Sequence, residues 1–216
     1  MTDWNSVFDG ILTERQFKVN EPMNRHNTYG IGGPADVFVM PQTEDQLKQV
    51  LRRADELHIP VTVIGGGSNS LISDRGIRGI TLCTARIKSS TVRKGNQIIV
   101  TGGAGTGAVS RFAMKEGLSG LEFAAGIPGT LLGAVFMNAN GYGSKFANVV
   151  HSVRTVTRDG RQEKHYTLEE IQYGDSDSVF MHNGDIVLDP GKRLYCSGSN
   201  SGIKGRKARR NQGGYG

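Results

Sequence analysis

The stretch Val61-Thr-Val-Ile-Gly-Gly-Gly-Ser-Asn-Ser-Leu71 passes directly from a β-branched, apolar run into three glycines and three small polar residues. It reads as a buried strand that ends in bare backbone. Without Cβ atoms, Gly65, Gly66 and Gly67 can take positive φ and bring their N–H groups up to a diphosphate, with Ser68 and Asn69 adding side-chain donors. A tight strand-to-loop turn is the alternative reading, because glycine-rich turns are common punctuation in any fold.

A second glycine segment favours the phosphate reading. Residues Gly117 to Gly143 contain Ala125-Gly-Ile-Pro-Gly129 and Asn138-Ala-Asn-Gly-Tyr-Gly143, and the segment is both glycine-dense and apolar. Flexible linkers lack this Leu, Phe, Ile and Val content, so the composition argues for backbone threaded close to something buried. Two such loops in one chain suggest a dinucleotide, with its diphosphate in one loop and its ring system along the other.

The remaining pattern outlines two α/β pieces. Asp36 to Met40 alternates like a strand. Thr43-Glu-Asp-Gln46 reads as a capping box, followed by Leu47, Val50, Leu51, Ala54 and Leu57 at helical spacing up to the strand Val61 to Ile64. Gln97 to Thr101 opens a second piece, in which Ala108 to Glu116 reads as a helix and Ser152 to Thr157 with Asp159-Gly160 as a strand entering a hairpin turn. Ile186 to Leu188 gives a last strand. The expected division is 1–90, 91–190 and a tail 191–216, with the first boundary inside Arg86 to Thr91. No internal repeat is visible.

The formal charge of +6 is confined to one end of the chain. Residues 192–216 hold seven Lys or Arg and no acid, leaving nineteen basic and twenty acidic residues in the first 191. A near-neutral body without interleaved aromatic and basic residues argues against nucleic acid as a partner. The Gly/Ser/Lys/Arg-rich tail has the composition of a disordered, solvated end; a nonspecific RNA or anionic-surface contact is the alternative. No apolar run approaches the roughly 18–20 residues a bilayer needs, and the N-terminus lacks a basic region followed by an apolar one, so the expectation is a cytoplasmic protein with no membrane partner. Cys83 and Cys196 lie far apart and the histidines show no ligand spacing, so neither a disulfide nor a metal is expected. No Walker-type G-x-x-x-x-G-K-[ST] occurs.

Three motifs in order carry a family resemblance: Asn27-Thr-Tyr-Gly-Ile-Gly-Gly-Pro-Ala-Asp-Val-Phe-Val39, then Val63 to Gly79, then Gly117 to Gly143. Over about residues 20 to 190 the chain resembles the flavin-binding half of the bacterial UDP-N-acetylenolpyruvoylglucosamine reductases. The resemblance implies an α/β (α+β) chain with the FAD-binding fold of the vanillyl-alcohol oxidase type, FAD lying between two small subdomains. It implies an oxidoreductase in which NADPH reduces FAD and FAD reduces the enolpyruvyl group of a UDP-sugar, giving UDP-N-acetylmuramate for peptidoglycan. It assigns Gly65, Gly66, Gly67, Ser68, Asn69 and Ser70 to the diphosphate. Ala125, Gly126, Ile127, Pro128, Gly129, Asn138, Ala139, Gly141, Tyr142 and Gly143 would line the flavin and the rest of the diphosphate. Thr28, Tyr29 and Gly30 would approach from the first subdomain, and Ile186 from the last strand.

The chain departs from the resemblance where catalysis is concerned. The family arginine that meets the substrate carboxylate aligns with Ser176, and the tyrosine of that motif with Asp175. A hydroxyl cannot replace the planar cation of bidentate carboxylate recognition. The proton-donating serine, the assisting glutamate and the substrate domain that carries them have no counterpart, so a missing C-terminal domain is expected to be needed. Leu132 and Asn140 put larger side chains where the family has smaller ones, close to the expected flavin path. The alternative function is an FAD-binding module without reductase activity.

Overall fold

The computed structural model describes residues 2–190, 194–195 and 197–198. The chain begins with helix α1 (Trp4–Phe8) and then forms strands β1 (Phe17–Pro22) and β2 (Pro34–Val39), helix α2 (Glu44–Glu56), and strands β3 (Val61–Ile64) and β4 (Ile77–Cys83). These four strands make one sheet in the order β1-β2-β4-β3, with β1 antiparallel to β2 and the other pairs parallel.

The alternation read in residues 36–40 understates the burial of β2. Val37 and Val39 enter the cluster beneath α2, while Ala35 and Phe38 enter a second cluster with Met23 and Ile64. Both faces of the sheet are covered, as parallel strands require, so β2 is continuously apolar at its core end. Helix α2 follows the predicted spacing: Leu47, Val50, Leu51 and Ala54 are buried, and Leu57 is the exposed C-cap. Its capping box is only half formed. Thr43 Oγ1 accepts from the Gln46 amide at 3.1 Å, but Gln46 Oε1 accepts from the Gln42 amide instead of that of Thr43. The Gln46 carboxamide is drawn aside because its Nε2 also donates to Ile11 O and Gln16 Oε1.

The second half comprises β5 (Ser90–Lys94), β6 (Gln97–Thr101), α3 (Thr106–Lys115), β7 (Leu118–Ser119), α4 (Leu131–Phe136), β8 (Asn140–Gly141) and β9 (Ser144–Lys145). It continues with β10 (Ser152–Val156), β11 (Glu163–Thr167), α5 (Leu168–Ile171), α6 (Val179–Asn183), β12 (Ile186–Asp189), β13 (Leu194–Tyr195) and β14 (Ser197–Gly198). Strands β11-β10-β12 form one antiparallel sheet and β13-β6-β5 another. Thr167 and Glu170 form a complete capping box at the start of α5.

Pairing extends beyond residue 190, where composition alone starts the tail: Leu194 is fully buried in the core of the second half with Ile98 and Val150, and Ser197–Gly198 pairs with β7. The rest of the basic tail, including Cys196, lies outside the described residues. Val156, Ile186 and Leu188 join the cluster under α2, so the two halves share an apolar layer.

Leu51 is fully buried in that layer. Leu51→Ala is expected to cost about 2–5 kcal/mol of unfolding free energy, read as a lowered urea midpoint with unchanged m-value.

Candidate functional site

The turn after β3 is approached by backbone from two sides. A Cβ on Gly67, whose φ is +70°, would lie 1.9 Å from His26 O. One on Gly66 would lie 2.9 Å from the Cα of Gly129. Only glycine permits either approach. The turn is then tied across both sides: the Thr28 amide donates to Gly67 O at 3.3 Å, and Ser68 Oγ donates to Pro128 O at 3.1 Å. Asn69 Nδ2 reaches Met137 Sδ at 3.4 Å.

Beside this junction lies a cavity of about 570 Å³. One wall is Gly65 to Ser70; the other includes Ile127, Pro128, Ala139 and Asn140, and Ser176 lies at its edge. A second chamber of about 310 Å³ shares Gly65 and Gly133 with the first and is lined by β3, Leu132 and Ile186. The volumes lie in the usual range for a cofactor site. Among the described residues, the amides of Gly66 to Asn69 donate to no protein group. A row of free amides on a turn without side chains is suited to an anion. The apolar wall opposite suits a flat ring. The residues therefore fit a dinucleotide with a diphosphate.

The predicted site residues divide into groups. Gly65, Gly66, Gly67, Ser68, Asn69, Ser70, Ile127, Pro128 and Ala139 meet in the main cavity, with Ile186 in the adjoining chamber. Gly129 acts by backbone contact with Gly66. Thr28 lines a separate cavity of about 360 Å³ behind Gly65 and Gly66, with Arg25, Arg86 and Cys83. Burial pushes the Cys83 thiol up in pKa. Tyr29 and Gly30 line none of these cavities, and Tyr29 is exposed. Ala125, Gly126, Gly141, Tyr142 and Gly143 fall on two outer depressions, where the Tyr142 ring covers Gly126.

Asn138 is buried with φ +49°, and its side chain is committed to the protein. Its Nδ2 donates to Gly174 O at 2.8 Å, and its Oδ1 accepts from the Ala147 amide at 2.9 Å. It braces the segment carrying Ala139 and Asn140 against the turn carrying Ser176. Leu132 lines the smaller chamber rather than the main cavity, and Asp175 lies on the outer depression beside Tyr142.

Sequence reasoning did not nominate Thr130, Gly133, Ala134 or Met137, which also line the main cavity. Their spacing of three, one and three along and just beyond α4 was the available signal. Nearby, the hydroxyl of half-buried Tyr173 donates to Val135 O at 2.9 Å, and desolvation raises its pKa. The hydrogen bond from His182 holds the exposed Asp177 carboxyl below its ordinary pKa.

Residues 35–165 match the family described as FAD binding domain. The chain belongs to this FAD-binding family. It is 43% identical over 179 residues to the UDP-N-acetylenolpyruvoylglucosamine reductase of Geobacillus thermodenitrificans, covering 83% of this chain and 58% of that protein. The reductase of that name from Alkaliphilus oremlandii is 40% identical over 171 residues, covering 79% of this chain and 56% of the relative. The chain thus spans under three-fifths of the length of these relatives. The crystal structure of the Thermus caldophilus reductase superposes with a TM-score of 0.64 at 28% identity, covering 85% of this chain and 62% of that one. A 4-ethylphenol oxidase from Gulosibacter chungangensis, at 13% identity, shares the fold with a TM-score of 0.66 and covers 89% of this chain and 42% of its own. The FAD-binding fold is of the vanillyl-alcohol oxidase type, and the resemblance to the reductases holds.

In this FAD-binding chain, Gly66→Ala must force the two loops apart. The expected result is an FAD dissociation constant raised at least about tenfold with the far-UV circular dichroism unchanged. Asn138→Ala removes the hydrogen bonds to the part-buried Gly174 carbonyl and Ala147 amide and is expected to lower unfolding free energy by about 1–3 kcal/mol, measured by urea titration.

Proposed function

We propose that this chain is the FAD-binding part of a UDP-N-acetylenolpyruvoylglucosamine reductase, an oxidoreductase acting in the cytoplasm on a UDP-sugar, with NADPH as co-substrate. The observation that carries the reading is the meeting of Gly65 to Ser70 with Ile127 to Gly129 across one cavity, in a chain 40–43% identical to reductases of that name. When bound, FAD supplies the hydride relay between NADPH and the enolpyruvyl double bond.

The chain's own residues then have distinct tasks. The free amides of Gly66 to Asn69 hold the diphosphate, and Ser68 and Asn69 tie that loop to the opposite wall. Ile127, Pro128 and Ala139 exclude water from the ring. Ile186 closes the far chamber, and Thr28 fixes Gly67 from behind. Two subdomains dividing near residue 90 would enclose the cofactor. Completing the UDP-sugar site is proposed to require a further domain of the reductase, with nucleic acid playing no part.

Ser176 favours a second reading, an FAD-binding module without reductase activity. It lies at the cavity edge at the position where the resemblance expects an arginine, with Asp175 and Asp177 as neighbours. A hydroxyl flanked by carboxyl groups does not neutralise a substrate carboxylate.

The purified chain is expected to bind added FAD, seen as quenched flavin fluorescence and an oxidised-flavin spectrum. Loss of flavin absorbance with NADPH, then recovery on adding UDP-N-acetylglucosamine enolpyruvate without oxygen, supports the reductase. Reduction without recovery favours the second reading, and absence of FAD binding overturns both.

A further inference from the structure

The seam between α2 and the β10–β11 hairpin is built from charged contacts repeated along one helix face. Glu44, Lys48, Arg52 and Asp55, spaced four, four and three apart, all point to the hairpin side. Glu44 receives Arg154 through both carboxylate oxygens, at 2.9 and 2.8 Å. Lys48 pairs with Glu163, Arg52 Nε donates to Gly160 O at 2.9 Å, and Asp55 pairs with Arg161.

Arg154 is the hub. Besides Glu44, its Nε donates to Asp189 Oδ2 at 2.7 Å and its Nη1 to Glu163 Oε2 at 3.0 Å. Burial works against its charge, but Asp189, Glu44 and Glu163 outweigh that and shift its pKa upward. One guanidinium therefore joins three carboxylates from α2, β11 and β12.

These elements carry the two cavity walls. Helix α2 leads through the bond from the Ile59 amide to Ala54 O into β3, which ends just before Gly65. Strand β12 begins at Ile186 in the smaller chamber and packs on α4, which follows Gly129 and Thr130. The layer between the halves, with Leu47, Val50 and Leu51 against Val156, Ile186 and Leu188, is apolar. Such contacts are not directional, so they set closeness but not angle. Hydrogen-bonded charge pairs fix register.

We propose that Arg154 is a positioning residue for the dinucleotide: by tying Glu44, Glu163 and Asp189 together it sets the angle at which the two glycine loops meet. The inference rests on the FAD reading above. Without Arg154, the three carboxylates lose the cation they share, Lys48 staying paired with Glu163 alone among the described residues, and repulsion rotates α2 away from β12. Removing one carboxylate as well relieves that repulsion, whereas a purely packing role gives no such rescue.

The test is FAD titration of the apo-protein by flavin fluorescence, with circular dichroism to establish folding. Arg154→Met is expected to raise the FAD dissociation constant about tenfold or more, and Arg154→Lys to raise it less. Adding Glu44→Gln to Arg154→Met should recover part of the loss. If Arg154→Met does not fold, Glu44→Gln alone, which leaves Arg154 paired with Asp189 and Glu163, should raise the constant several-fold. Wild-type affinity in the folded variants overturns the positioning role while leaving the FAD reading intact. A wild-type chain that binds no FAD overturns both.

Discussion

The organisation of the site depends on one close approach, that of Gly66 to Gly129. Each belongs to a loop from a different half of the chain, and a side chain on Gly66 would meet backbone. Beside an apolar wall, the amides of Gly66 to Asn69 are left with no partner among the described residues. Such a surface can bind an oxyanion with oriented dipoles and without a cationic side chain. Among the described residues, no lysine or arginine lines the main cavity.

The approach is stabilised from behind and from the sides. His26 and Thr28 back the glycine turn, Ser68 bonds across to Pro128, and Asn138 holds the opposite wall to the turn at Gly174. Farther out, the two halves share an apolar layer bordered by the α2 ion pairs. The arrangement separates two physical tasks: hydrophobic burial brings the halves together, and directional polar contacts determine their orientation.

Ser176 places a hydroxyl, and no cationic side chain, on the lining of the main cavity. The residue sits in the left-handed region, with φ +52°, at the edge of the cavity. Its neighbours Asp175 and Asp177 face elsewhere, toward the outer depression and His182. The lining at this point thus offers a hydroxyl, while the neighbouring carboxyl groups have other surroundings.

Much of the fold was legible because it follows from local periodicity. The helical spacing of Leu47 to Ala54, the strand before Gly65 and the hairpin at Asp159-Gly160 are all determined by residues within a few positions of each other. The glycine loops were legible too, since absent side chains are a feature of the sequence itself. What local pattern could not determine was direction and partnership. Asn138 and Tyr142 stand four residues apart in one motif, yet one is a buried brace and the other an exposed cover. Leu194 belongs to a polar stretch by composition but to the core by burial. The sequence by itself determined where backbone is bare and where strands and helices form. The tertiary structure alone decided which bare segments meet and which charges lie across the seam, because those contacts join residues distant in the chain.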